Sequence, residues 1–498
     1  MGFTRPIFLF LFFPMAVMGI ALCRWMERRI ALLRRLRLAD WALAGGSLLF
    51  YGWAVFDGIY RLFLYALAVW VAGRLIERLE AGHYVLPIFR EEKDSAQVCH
   101  RVLWSLIALW AAVLLVLFWL FRFKYWSFIA PIWNAVFQTE LTAASPLAPL
   151  GISFITFSAV SYLVDVRRGL APAGSFVDCL LYLSFFPKVI SGPIVLWRDF
   201  QPQITVRRTT VEDAATGVER IVIGLAKKVL LADLLLGGIA EVNFAGGRAG
   251  LDLPSVFLGM FLYMLVIYYD FAGYSDIAIG LGRLFGFRFR ENFNFPYRSR
   301  SITEFWRRWH ISLGTWFREY VYIPLGGSRK SRRRTLWNLA VVFALTGVWH
   351  GAGWNYILWG GINGFFVILE RMIWDKEWYR RIPDGVKWVG TMLVVMLFWE
   401  LFRFRSLSEL FQWLALLRGG DVVFSWRYIL DRRLMFLTVV GTLGATVLGG
   451  ERAHSAWRRA AGTKLGLFLQ EVGLLALFVL AVMAIVSSDY SPFIYFQY

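Results

Sequence analysis

The feature that most constrains this chain is a series of apolar runs without charge. Val102–Phe121 carries no charged residue, and neither do Leu434–Gly450 and Val472–Ser488. A bilayer core is crossed by about 20 apolar residues in a helix. Leu336–Trp349 and Gly351–Leu369 form a further pair, interrupted only by the step Trp349-His350-Gly351. Ile7–Cys23 is apolar too, with no small-residue cleavage site behind it, and reads as an anchor rather than a cleaved signal peptide. Of the 498 residues, 58% are hydrophobic, against about 45–50% in a soluble domain. The expected class is all-α, a polytopic integral membrane protein with roughly ten to thirteen spans.

A net charge of +19 would suggest nucleic acid in a soluble protein. Here the basic residues fall in clusters between apolar runs, at Arg24–Arg37, Arg198–Arg208, Arg288–Arg300 and Ser328–Arg334. That is the positive-inside pattern, and such loops face anionic membrane lipids. No nucleic-acid partner is implied. The last cluster, with Arg329, Lys330, Arg332, Arg333 and Arg334, is also a candidate docking surface for a polyanionic donor such as coenzyme A. Cys23, Cys99 and Cys179 are scattered, and there is no Cys-x-x-Cys or His-Glu-x-x-His, so neither a disulfide framework nor a zinc site is expected.

The chain reads as one membrane domain, 1–498, in three stretches. Residues 1–145 and 373–498 are plain spans with polar connections. Residues 146–372 mix Gly, Pro, Ser and aromatic residues into apolar surroundings, as in 151–157, 186–193 and 269–276. Broken helices at membrane depth are tolerated where they line a cavity or are buried in protein, so this stretch is the expected core around a central tunnel. No internal repeat is evident, which weighs against a transporter.

Two of only five histidines, His310 and His350, lie in the most apolar half of the chain. An ionisable group in a membrane-embedded region is costly and marks function, and imidazole is the side chain best suited to move a proton near pH 7. The competing reading is a hydrogen-bonded core histidine or a helix-end cap. Read as one helix, Trp306, Trp309 and His310 share a face, with Arg307 and Arg308 flanking it. His350 ends an uncharged run before Gly351-Ala-Gly353, where the backbone can bend. No Gly-x-Ser-x-Gly elbow accompanies either histidine. The fifth residues on are Thr315 and Asn355, so the soluble His-x4-Asp acyltransferase pattern is absent. Asp270 and Asp276 interrupt the run Val256–Leu281 and need partners. Arg283, Arg307 and His310 are the candidates, and structural pairing and direct catalysis both stay open.

These residues sit in motifs that resemble the membrane-bound O-acyltransferase (MBOAT) family. The motifs are Tyr268–Gly280, Asn292–Tyr297, Phe305–Leu313, Tyr322–Gly327 and Trp349-His350-Gly351, with Ser161–Asp165 and Pro187–Pro193 in support. Within the family the chain is similar to the bacterial alginate O-acetylation branch, related to the teichoic-acid D-alanyl transferase. The resemblance covers roughly residues 1–372 well and the remainder more loosely. It implies that His350 is the catalytic histidine and His310 the second functional position. Asp276, Asp270, Trp306, Arg307, Trp309 and Trp349 then support them. It implies a tunnel with the histidines near its narrowest point, no bound cofactor, and acetyl-CoA as donor substrate on the cytoplasmic side.

The last six residues, Phe493–Tyr498, resemble the family's C-terminal Phe-x-x-Phe-x-Tyr motif, in which the terminal tyrosine is proposed to carry the acyl group. The alternative is an interfacial aromatic belt. The function expected is transfer of acetyl groups across the inner membrane for O-acetylation of an exopolysaccharide such as alginate or cellulose. An extracytoplasmic esterase-like partner, an acyl carrier protein and a polysaccharide synthase complex are the partners the resemblance suggests. Transfer of another acyl group, such as D-alanine from a carrier protein, and a polysaccharide or lipid-carrier transporter are the alternatives.

Overall fold

The computed structural model describes residues 2–80, 95–144, 148–248, 250–404, 406–418, 422–450, 455–456, 459–487 and 493. It is helical almost throughout. Among the described residues the one sheet is a short parallel pair, Gly250–Leu251 with Val422–Phe424. Eight helices among them are long and apolar enough to cross a membrane. The fold is therefore an all-α polytopic membrane protein.

The chain divides into two compact units, Met1–Gly217 with Ala278–Arg290 and Val218–Ile277 with Glu291–Tyr498. In the first, helices α1 (Phe13–Arg29), α2 (Leu38–Gly52), α3 (Gly58–Glu80), α4 (Ser95–Leu120), α5 (Ile152–Arg167) and α6 (Phe176–Ser184) pack together. Helix α5 is buried along most of its length against α3 and α4. Asp40 is buried between two arginines, bonding Arg37 at 2.7 Å and also Arg207.

The second unit holds both histidines. Helix α7 (Val211–Leu225) enters it and runs on into a π-helical stretch, Ala226–Ala232. Helix α8 (Leu253–Leu284) has 32 residues, about 48 Å at the usual rise, and outreaches a bilayer core of about 30 Å. Of its most apolar stretch, 83% is buried inside the protein, against 11% for the last helix, Lys464–Ser487. Helix α8 is thus a core helix, and the last one buries little of its surface against the rest of the protein. Asp252 opens α8 by accepting from the Ser255 amide at 2.9 Å, which satisfies one of the donors a helix start leaves open.

Glycines set how closely α7 and α8 approach. A Cβ on Gly224 would sit 2.7 Å from the carbonyl oxygen of Gly273, and one on Gly273 would sit 2.8 Å from that of Gly224. No larger side chain fits at this crossing. Downstream lie α9 (Ile302–Arg308), α10 (Ile311–Phe317), α11 (Arg332–His350), α12 (Trp354–Ile373) and α13 (Asp384–Arg403). Helices α11 and α12 form an antiparallel hairpin through 351–353, with Gly347 against Gly360 at their contact.

Candidate active site

The sequence reading put Trp306, Trp309 and His310 on one helix. The structure corrects this. Helix α9 ends at Arg308, Trp309 is extended (φ −104°, ψ 132°), and His310 adopts the left-handed conformation at φ 45°, ψ 52°. A non-glycine residue there costs on the order of 1–3 kcal/mol and persists only where its surroundings enforce it. They do so here. Asn292 accepts the Ile311 amide on its carbonyl at 2.9 Å, and the Asn294 amide donates to Arg308 at 2.9 Å. The segment 292–294 thus straps the break.

The start of α9 is held as firmly. Ser301 caps it by accepting from the Glu304 amide at 3.0 Å. Glu370, from α12, accepts the Ile302 amide at 2.5 Å and the Thr303 amide at 2.8 Å. A carboxylate at a helix N-terminus satisfies open donors and complements the helix dipole.

His310 is 2% exposed and His350 is 5% exposed. Phe271 of α8 meets the His310 ring edge-on at 4.7 Å between centroids. The His310 Nδ1 lies 3.1 Å from Asn292 Oδ1 and 3.5 Å from Ser312 Oγ. His350 is the last residue of α11, at the helix end the sequence suggested, with Gly351 extended after it. Its ring sits among Trp349 at 4.9 Å, Trp359 at 4.8 Å and Phe402 at 5.0 Å. Trp349 also reaches His310 at 6.1 Å, so the two imidazoles flank one indole. Trp306 donates to Asn363 Oδ1 at 3.1 Å and packs on Trp359. Trp309 packs on Trp399 at 4.6 Å. Among the described residues, the rings of Phe271, Trp349, Trp359 and Phe402 surround the imidazoles, a setting in which electrostatic interactions are little screened by water.

The carboxylates find partners the sequence reading did not name. Asp270 accepts from Lys228 at 2.6 Å, and Lys228 also reaches Asp233 at 2.8 Å. Asp276 takes Arg220 at 2.7 Å and Lys227 at 2.6 Å. These pairs differ from the Arg283, Arg307 and His310 that the sequence reading offered. Arg307 is exposed, while Arg308 pairs with Glu304 at 2.9 Å. The missed signal was two adjacent lysines, Lys227 and Lys228, inside the otherwise apolar run 221–232, since such cations require carboxylates.

The basic cluster is not beside the histidines. Arg329, Lys330, Arg332, Arg333 and Arg334 are exposed at the start of α11, whose other end is His350. The sixteen steps from Arg334 to His350 span roughly 24 Å. Tyr498 lies outside the described residues. Phe493 is described and 1% exposed, edge-on to Tyr274 at 4.7 Å and under the Lys228 ammonium at 4.7 Å.

Fold and site define an all-α polytopic membrane protein with two buried histidines, from separate helical segments, in one aromatic box. Residues 174–384 match the family model described as MBOAT, membrane-bound O-acyltransferase family. Over 405 residues the chain is 37% identical to the "Probable alginate O-acetylase AlgI" of Pseudomonas putida, covering 76% of this chain and 81% of that protein. The protein of the same description from Pseudomonas aeruginosa is 45% identical over 266 residues, 53% of this chain but only 50% of that relative's length. In the Azotobacter vinelandii protein of that description the match spans 60% of its length. The "Peptidoglycan O-acetyltransferase" of Helicobacter pylori is 30% identical over 438 residues, 82% of this chain and 78% of that protein. The chain belongs to the membrane-bound O-acyltransferase family.

The buried pair Lys228–Asp270 yields a test. Removing either partner takes away a buried ion-pair contact, at a cost of up to about 3–5 kcal/mol, with Lys228 keeping Asp233 when Asp270 is lost. Lys228→Met and Asp270→Leu should each lower the thermal unfolding temperature of detergent-solubilised protein. The double variant should regain most of the loss. Additive losses in the double variant would show that the pair is not the reason for these residues.

Proposed function

We propose that this chain is a membrane O-acyltransferase that moves acetyl groups from a cytoplasmic thioester, acetyl-CoA, across the membrane for O-acetylation of an exopolysaccharide. The observation that carries this is the pair of buried imidazoles flanking Trp349, in a chain of this family. Alginate is the acceptor polymer suggested by the printed names of several relatives. An extracytoplasmic esterase-like protein completes the transfer in this reading, and the membrane is the bacterial inner membrane. Transfer of D-alanine is the second reading, favoured by 32% identity over 270 residues to the teichoic acid D-alanyltransferase of Bacillus subtilis.

The chemistry is one acyl transfer. An acceptor hydroxyl loses its proton to an imidazole as its oxygen attacks the thioester carbonyl. The tetrahedral intermediate collapses, the C–S bond breaks, and the thiolate leaves and takes up a proton. General-base catalysis and stabilisation of the developing oxyanion both gain from a buried site. His350 and His310 supply these roles between them. Exposed cations at the positive end of the α11 dipole suit a polyanionic donor, whose reactive end would have to travel the length of that helix.

The acceptor within the chain is Tyr498 in this reading. A phenol has a pKa near 10, so its ester passes the acyl group on more readily than an alkyl ester. The anchoring of Phe493 on Tyr274 supports it. Tyr274 lies three residues along α8 from Phe271, which touches His310. Tyr498 is five positions on from Phe493, a reach of up to about 17 Å.

In cells, His350→Ala should lower polysaccharide acetylation by about 10²–10⁴-fold at unchanged protein abundance. Wild-type acetylation in that strain would remove His350 from the chemistry. Tyr498→Phe keeps the ring and loses only the hydroxyl. It should stop acetylation of the polymer, and mass spectrometry of the wild-type C-terminal peptide should show an acyl adduct. Normal acetylation with Tyr498→Phe would leave the tail as an anchor alone.

A further inference from the structure

We propose that Asn292 is a positioning residue that holds neutral His310 as the Nδ1–H tautomer, so that its Nε2 is a proton acceptor and not a donor to the substrate carbonyl. This rests on the acyltransferase reading only for its consequence. The tautomer itself follows from the hydrogen bonds.

The orientation of the Asn292 amide comes first. Its oxygen and nitrogen have nearly the same shape, so only neighbours can tell them apart. A backbone N–H can only donate. The Ser312 amide points at one Asn292 terminal atom from 3.2 Å, and that atom must be the oxygen. The Ser312 hydroxyl donates to the same oxygen at 2.8 Å. The Asn292 nitrogen then faces Ser275 Oγ at 3.1 Å and donates to it, tying the amide to α8.

The His310 Nδ1 lies 3.1 Å from that oxygen. A carbonyl oxygen has lone pairs and no proton. With a proton on Nδ1 the contact is a hydrogen bond. Without one it is lone pair against lone pair in a buried site. The Ser312 hydroxyl, 3.5 Å from Nδ1, has spent its proton on Asn292 and so also meets Nδ1 as an acceptor. The preference for Nδ1–H is roughly tenfold or more. A neutral imidazole has one protonated nitrogen, so Nε2 carries the lone pair.

The consequence narrows the role of His310, which could either take the acceptor hydroxyl's proton or donate to the oxygen of the thioester carbonyl. A neutral imidazole with its lone pair at Nε2 cannot donate to that oxygen. It can take the hydroxyl proton. His310→Asn, which keeps a donor, should then be as inactive as His310→Ala.

Nitrogen NMR of histidine-labelled protein in bilayers tests the tautomer without any substrate. The His310 signal is assigned by its loss in His310→Gln. The expected wild-type signal has the proton on Nδ1. Asn292→Asp keeps an acceptor oxygen for His310 and Ser312 and should keep that tautomer, while Asn292→Ala should lose the preference. On the activity side, Asn292→Ala should lower kcat by roughly tenfold or more with little change in KM, and Asn292→Asp should restore part of it. A proton on Nε2 in the wild type, or an unchanged tautomer in a folded Asn292→Ala protein, overturns the proposal. A wild type with the proton on Nδ1 but no thioester turnover contradicts the acyltransferase reading alone.

Discussion

The second unit depends on how it buries charge. Lys228, Asp270 and Asp276 lie in the interior of a protein built for lipid, where an uncompensated ion is held at a cost of several kcal/mol. The pairs Lys228–Asp270 and Asp276 with Arg220 and Lys227 remove that cost only if α7, the π-helical stretch and α8 lie almost in backbone contact. The Gly224–Gly273 crossing allows this. Once α8 is fixed there, Phe271 is fixed against His310 and Ser275 against Asn292. The site inherits its position from this ion-pair network.

The same logic governs the break at His310. A helix broken inside protein exposes backbone groups that must find partners. Glu370 serves one end of α9 and Asn292 the other, and each comes from a different part of the chain. The imidazole is held by these bonds and by Phe271, not by a helix of its own. Rigidity of that kind suits the proton-transferring role proposed for it, since small misplacements of a reacting group are costly.

Much of this was legible in the chain. The uncharged runs gave the class, and His350 stands at the helix end that the glycines after it suggested. The aromatic and histidine motifs gave the family. The partners of Asp270 and Asp276 were not legible, because Lys228 and Arg220 lie 42 and 56 residues away and periodicity carries no information at that range. The helix break at His310 was missed because residues 305–313 have good helical spacing, and only the strap from Asn292 overrides it. The basic cluster is near His350 in sequence but at the far end of α11 in space, since a helix separates its ends by about 1.5 Å per residue. Asn292 stood in a quoted motif, yet nothing in its spacing linked it to His310.

The central claim is that this unit breaks a thioester. Wild-type protein purified into liposomes and given acetyl-CoA labelled in the acetyl group measures it directly, with free thiol as the readout. The account predicts thiol release that grows with time, with label appearing on the protein. An intact thioester in the presence of folded wild-type protein, at donor concentrations well above those in cells, would contradict it.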